Sequence, residues 1–115
     1  MKPAEFLGDS LTRLQGLPAP ARSDLGFQLG LVQRGLEPTD WKPMTSVGPG
    51  VREIRVRDED GAFRLIYLAA VADRVLVLHV FQKKTQRTPQ AAIDLARKRL
   101  KAWQAEHLKK GRGAP

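Results

Sequence analysis

The sequence predicts an α+β fold: a small twisted antiparallel sheet with an N-terminal helical hairpin and a C-terminal helix, in the order β-α-α-β-β-β-α. Three observations predict it. Residues 51–81 hold three apolar-rich runs separated by two short turn signals. Residues 9–35 carry two apolar stripes at helical spacing around a pair of prolines. Residues 89–107 carry a third stripe behind a Thr-Pro start signal.

Taken in order, "PAEFLG" (3–8) is short enough for an edge strand. Asp9 or Ser10 is suited to cap a short helix with Leu11, Leu14 and Leu17 on one side. Pro18 and Pro20 break it, so "LPAPA" joins it to a second helix over about 21–34. There Leu25, Leu29 and Val32 fall at i, i+4 and i+7, and Gly35 suits the C-terminal cap. Residues 36–50, "LEPTDWKPMTSVGPG", are rich in turn formers and are expected to be a linker pinned by Trp41 and Met44.

"VREIRVR" (51–57) alternates polar and apolar residues, and "DEDG" (58–61) turns the chain into "AFRLIYLAA" (62–70). "VADR" turns it again into "VLVLHVF" (75–81). That last run is apolar at nearly every position, which predicts a central strand covered on both faces. Thr88 is a good N-cap and Pro89 fits the first position of the final helix. Ala92, Ile93, Ala96, Leu100 and Trp103 form its apolar stripe. One domain over 1–115 is expected, with a frayed basic tail from about 109.

Composition narrows the function. There are no cysteines, which excludes disulfides, thiol catalysis and Cys-based zinc sites. His79 and His107 are the only histidines, too few for a multi-histidine metal site, so neither a metal nor a cofactor is expected. His79 sits among valines and reads as a buried histidine before it reads as a general base. The N-terminus lacks the apolar segment of a signal peptide, and no stretch approaches the ~20 apolar residues of a membrane span. The expectation is a cytoplasmic protein with no membrane partner.

Charge is unevenly placed. Residues 1–51 carry five Lys/Arg and five acids, whereas residues 52–115 carry fifteen Lys/Arg and seven acids, hence the whole net charge of +8. A basic half on a neutral half suits a phosphate backbone or an acidic partner. Strand alternation puts Glu53, Arg55 and Arg57 on one face, with Ile54 and Val56 on the other. Arg64 interrupts the next strand, and Lys83 and Lys84 end the third. A three-stranded meander can gather these on one concave surface. Such a surface suits metal-independent cleavage of RNA by its own 2′-hydroxyl: cations stabilise the phosphorane, a lysine among cations has a lowered pKa, and Glu53 is a plausible base. A non-catalytic face for nucleic acid or an acidic protein fits the same residues.

The order "GPGVREIR", "FRLIY" and "LHVFQKKTQRTP", between "DSLTRLQGLPAPARSDLGFQLGLVQRG" and "IDLARKRLKAW", resembles the phage-derived Gp49-like/HigB family. These are toxins of type II toxin–antitoxin systems within the RelE/ParE superfamily. The resemblance implies a RelE-like fold and a ribosome-dependent mRNA endonuclease, an mRNA interferase that cuts mRNA in the A site of the 30S subunit. It implies a cognate helix-turn-helix antitoxin as partner, with operator DNA contacted only through that antitoxin. The family's basic active-site positions map onto Arg55, Arg64, Lys83 and Lys84, with Arg57 as an addition. Gln82, Arg87, Arg97, Lys98 and Lys101 are expected to contact RNA or the ribosome. At Glu53 some relatives carry a basic residue, which leaves the base unassigned. A tyrosine late in some relatives' active sites has no equivalent, because Tyr67 points opposite Arg64 by strand parity. An inactive copy retained as co-repressor with its antitoxin would keep the same fold.

Overall fold

The three apolar runs pair as the turn signals predict. In the computed structural model, which describes residues 1–71 and 73–112, the elements run β1 (Ala4–Phe6), α1 (Ser10–Gln15), α2 (Ala19–Gln33), β2 (Trp41–Pro43), β3 (Val51–Asp58), β4 (Gly61–Val71), β5 (Arg74–Lys83) and α3 (Gln90–Arg112). They form one five-stranded sheet in the order β1-β5-β4-β3-β2. The architecture is α+β and consistent with a RelE-like fold. No helix among the described residues is long and apolar enough to cross a membrane.

Two features of the sheet depart from the expected order. β2 through β5 are antiparallel neighbours, but β1 lies parallel to β5, with Ala4 beside Val75 and Phe6 beside Val77. The expected linker also contains a strand: β2 pairs with β3 through Trp41–Ile54, Lys42–Glu53 and Pro43–Arg52. A three-residue edge strand has no periodicity to detect, and an edge tolerates Pro43. Its Trp41 ring lies 3.9 Å from the Arg52 guanidinium, a cation–π contact that fixes the edge.

The helices follow their apolar stripes. α2 buries Ala21, Leu25, Leu29 and Val32. It starts earlier than expected, because Pro20 fits the first turn, where its missing N–H costs nothing. Gly35 ends it with φ of 79°, the Gly35 N–H reaching the Val32 carbonyl and the Leu36 N–H that of Leu31. These two bonds satisfy carbonyls that the helix end leaves open. α1 has no side-chain cap. Asp9 is instead engaged by Arg13 at 2.8 Å and Arg99 at 2.5 Å, and buried Ser10 donates to the Val77 carbonyl. α3 runs to Arg112, so residues 109–112 of the expected frayed tail are helical, and 113–115 lie outside the described residues.

The sheet separates two cores. On one face Ile54, Phe63, Leu65, Tyr67, Val75, Val77 and Val80 pack with Leu14 of α1 and the α2 stripe. On the other, Val51, Ile66, Leu68, Leu76, Leu78 and Phe81 pack with Ala92, Ala96 and Leu100 of α3. Each fully buried Leu, Ile or Phe stabilises the fold by ~1.5–3 kcal/mol.

Pairing on the α3 side forms rows across the strands. Val51–Leu68–Leu76 is followed by Glu53–Ile66–His79, then Arg55–Arg64–Phe81, then Arg57–Ala62–Lys83. Polarity therefore rises along the strands towards the β3–β4 hairpin. A register shift between Ile66 and Tyr67 leaves Leu78 as an extra residue on β5. The bulge puts Leu78 and His79 on the same face.

Candidate active-site cleft

The last two rows open into a cleft of about 420 Å³ lined by Arg55, Arg57, Ala62, Arg64, Lys83, Lys84, Thr85 and Gln86. Arg55 and Arg64 are direct cross-strand partners on β3 and β4. Lys83 is the end of β5 beside Ala62, and Lys84 begins the loop that leads to α3. Four of the five expected catalytic residues, together with Arg57, therefore share one wall. Tyr67 belongs to the opposite core, as strand parity predicts.

Glu53 is placed differently from a base that meets substrate. It is fully buried and does not line the cleft. One carboxylate oxygen accepts a 2.7 Å hydrogen bond from the Thr88 hydroxyl, and the other lies 3.4 Å from Arg64 Nε. Thr88, expected to cap α3, thus ties the loop carrying Lys84 to the cleft floor. Arg64 is itself only 3% exposed, and its Nη1 donates to the Phe63 carbonyl at 3.0 Å. Glu53 is a counter-charge beneath the cleft that holds Arg64 in place.

The electrostatics follow from this layering. Burial pulls the Arg64 pKa down, Glu53 opposes that, and Arg55 and Arg57 add to the lowering. An arginine stays charged regardless. Lys83 also falls below the ordinary lysine value, through partial desolvation first and then the neighbouring Arg64 and Arg55, with Glu53 opposing. Among the described residues no carboxylate or imidazole lines the cleft.

Among the described residues five arginines outside the cleft are ion-paired, while Arg22, Arg34 and Arg87 are not. Arg13, Arg52, Arg74, Arg97 and Arg99 each have a carboxylate within 4 Å, whereas Arg55, Arg57, Lys83 and Lys84 have no ion-pair partner among the described residues. Uncompensated cations in one concavity favour an anion from outside.

The expected RNA- and ribosome-contacting residues do not share one surface. Gln82 pairs with Phe63 and so faces the α2 side, where its amide donates to the Asp60 carbonyl of the β3–β4 hairpin at 2.9 Å. Its work is to close that turn, and the parity of β5 excludes it from the cleft. Arg97 donates to the Ser46 carbonyl and approaches Asp94 at 3.5 Å, fastening α3 to the β2–β3 loop. Lys98 and Lys101 are exposed on α3, and Arg87 is exposed at the end of the loop after β5. A residue missed from sequence is Thr88, which anchors the loop to Glu53. Its capping signal was misleading, because its hydroxyl turns to the Glu53 carboxylate.

His79 is buried, stacked on Phe81 at 5.1 Å, and outside the cleft. Burial first, then Arg99 and Arg13, push its pKa down to about 4, so it is neutral at pH 7. Its Nδ1 has no hydrogen-bond partner among the described residues.

A family model described as phage derived protein Gp49-like matches residues 12–101, a span that contains every cleft residue. No curated protein matches the chain.

Proposed function

The chain belongs to the phage-derived Gp49-like family, and from that premise we propose that it is the toxin of a type II toxin–antitoxin system, a ribosome-dependent mRNA endonuclease. Membership of the family is consistent with a toxin of a toxin–antitoxin system. The observation that carries the reading is the convergence of Arg55, Arg57, Arg64, Lys83 and Lys84 on one cleft with no surface carboxylate.

The chemistry uses the RNA's own nucleophile. The 2′-hydroxyl oxygen attacks the adjacent phosphorus in line, and its proton passes to Lys83 in the neutral form that the lowered pKa makes accessible. The phosphorus–5′-oxygen bond breaks, and the departing oxygen takes a proton from the Lys84 ammonium. The products are a 2′,3′-cyclic phosphate and a 5′-hydroxyl. Arg64 faces the charge that develops on the non-bridging oxygens, and its fixed position avoids reorganisation during reaction. Arg55 and Arg57 orient the flanking backbone. Glu53 and Thr88 act through Arg64 and the loop, as positioning residues. The ribosome presents mRNA in its A site, Lys98 and Lys101 meet ribosomal RNA, and a helix-turn-helix antitoxin neutralises the toxin and carries it to operator DNA.

One observation favours a second reading. A cleft whose charged lining residues are all cations holds a phosphate without needing to cut it, as in an inactive toxin kept as co-repressor.

Primer extension on mRNA in a purified translation system separates the two. Ribosome-dependent cuts that vanish in Lys83→Met and Lys84→Ala are the expected result. Intact mRNA with folded wild-type protein at ribosome-equivalent concentration would sink the nuclease and leave the binding face.

A further inference from the structure

Beside the cleft lies a second depression, of about 470 Å³, whose lining includes Lys42, Pro43, Thr45, Arg87, Gln90 and Ile93. The loop after β5 divides the two. Lys84, Thr85 and Gln86 line the first, and Arg87 and Thr88 line the second. β2 supplies the opposite wall, because Lys42 pairs with Glu53, the residue beneath the cleft floor.

The chemistry of the second depression is mixed. Lys42 and Arg87 are exposed and have no ion-pair partner among the described residues. Exposed Pro43 and half-buried Ile93 add apolar surface, and exposed Thr45 adds a hydroxyl. A phosphate needs the cations, and a sugar or base needs the apolar surface and a few hydrogen-bonding groups.

We propose that the depression formed by Lys42, Arg87, Pro43 and Ile93 is a subsite for a nucleotide flanking the cleaved one, so that single-stranded RNA crosses the Lys84–Thr88 loop as a saddle. The proposal rests on the cleft being an RNA site. It specifies a substrate longer than the scissile dinucleotide and gives β2 a role beyond closing the sheet edge. Duplex RNA would not follow the path, because each strand must bend over the saddle with its bases free to leave the stack.

The test is NMR titration of ¹⁵N-labelled full-length protein with RNA dinucleotides and tetranucleotides blocked by 2′-O-methylation. The dinucleotide is expected to move amides of the cleft alone. The tetranucleotide is expected to move Lys42, Thr45, Arg87 and Gln90 as well. The double variant Lys42→Ala/Arg87→Ala should bind the dinucleotide as wild type does and lose about tenfold for the tetranucleotide, with a salt slope shallower by about 1 to 2. Equal affinity of variant and wild type for the tetranucleotide would overturn the subsite and leave the cleft reading standing. No shift at Lys42, Thr45, Arg87 or Gln90 with the tetranucleotide would overturn the subsite, while the cleft reading stands or falls on the ribosome-dependent primer extension. Stronger shifts at Lys42 and Arg87 with an acidic peptide than with RNA would reassign the depression to a protein partner.

Discussion

Two ends of one sheet face differ in nearly every respect. The row Val51–Leu68–Leu76 packs under Ala96 and Leu100 of α3, and all three residues are buried. Two rows further along the same strands, Arg55–Arg64 and then Arg57–Ala62–Lys83 carry four cations. Backbone pairing runs through both ends, unbroken at the cleft rows and shifted at the Leu78 bulge on the covered side. What changes is whether a helix covers the row. The comparison teaches that the cleft is the uncovered end of a core: its side chains sit on the same rigid ladder, which fixes their positions, while the place that α3 would fill is open to an anion.

The sharpest break in that comparison lies at Arg64, the one cleft cation that is buried like a core residue. Arg64→Ala leaves the fully enclosed Glu53 carboxyl without its cation, which is expected to cost about 3–5 kcal/mol in a denaturant melt. Leu65→Ala, one residue away on the α2 side, is expected to cost about 2–5 kcal/mol through the cavity it leaves. The two variants match in stability and part in function: folded Leu65→Ala retains cleavage and Arg64→Ala does not. Restored stability in Glu53→Gln/Arg64→Met without restored cleavage would confirm that the pair's structural and chemical roles separate.

The covered end has its own titratable residue, and it predicts acid sensitivity. His79 has a pKa of about 4 when folded, against an ordinary 6.5. The unfolded chain therefore binds the proton first as pH falls. Stability is full above 6.5, declines between 6.5 and 4, and the accumulated loss at pH 4 is about 3 kcal/mol. Asp9 is also lowered, to about 2, by Arg99 and Arg13, so its contribution is present above 3.8 and goes at still lower pH. The windows do not overlap, and His79→Phe should flatten the first alone. A wild-type protein equally stable at pH 7 and pH 4.5 would count against the burial argument.

How much of this was legible in the sequence depends on the range of the interaction. The meander, the α2 stripe and the convergence of Arg55, Arg64, Lys83 and Lys84 follow from period-2 and period-3.6 patterns plus two short turns, all local. β1 and β2 were harder, because a three-residue strand is defined by its partner: β1 pairs with residues some seventy positions away. The burial of Glu53 was out of reach too. Alternation correctly put it on the Arg55 face, but its depth is set by the loop that brings Thr88 back over β3. The bulge at Leu78 is invisible in an unbroken apolar run, where no change of polarity marks a slip.

Thr88 joins the covered and uncovered ends, so removing its hydroxyl tests whether the boundary matters. Thr88→Val keeps the shape and leaves one buried carboxylate oxygen without its donor. The expected cost is about 1–2 kcal/mol. Cleavage should fall by more than that destabilisation explains, with a fold-change in kcat rather than KM, because Lys84 and Arg64 both lose their shared anchor. A change confined to stability would limit Thr88 to holding the fold.

The smallest effect on stability comes from two neighbours that face opposite ways. Gln82 closes the hairpin with its bond to Asp60, so Gln82→Ala should cost about 0.5–1 kcal/mol and leave cleavage intact. Lys83, the next residue, has only like-charged neighbours and the shielded Glu53 to answer to. Lys83→Ala removes repulsion from Arg64 and Arg55, so stability should hold within about 0.5 kcal/mol or rise. Cleavage should disappear, and the wild-type rate should rise with pH about a midpoint below the ordinary lysine pKa of 10.5. If Gln82→Ala lost cleavage and Lys83→Ala kept it, the register of β5 would be off by one residue and the cleft would be built from the wrong face.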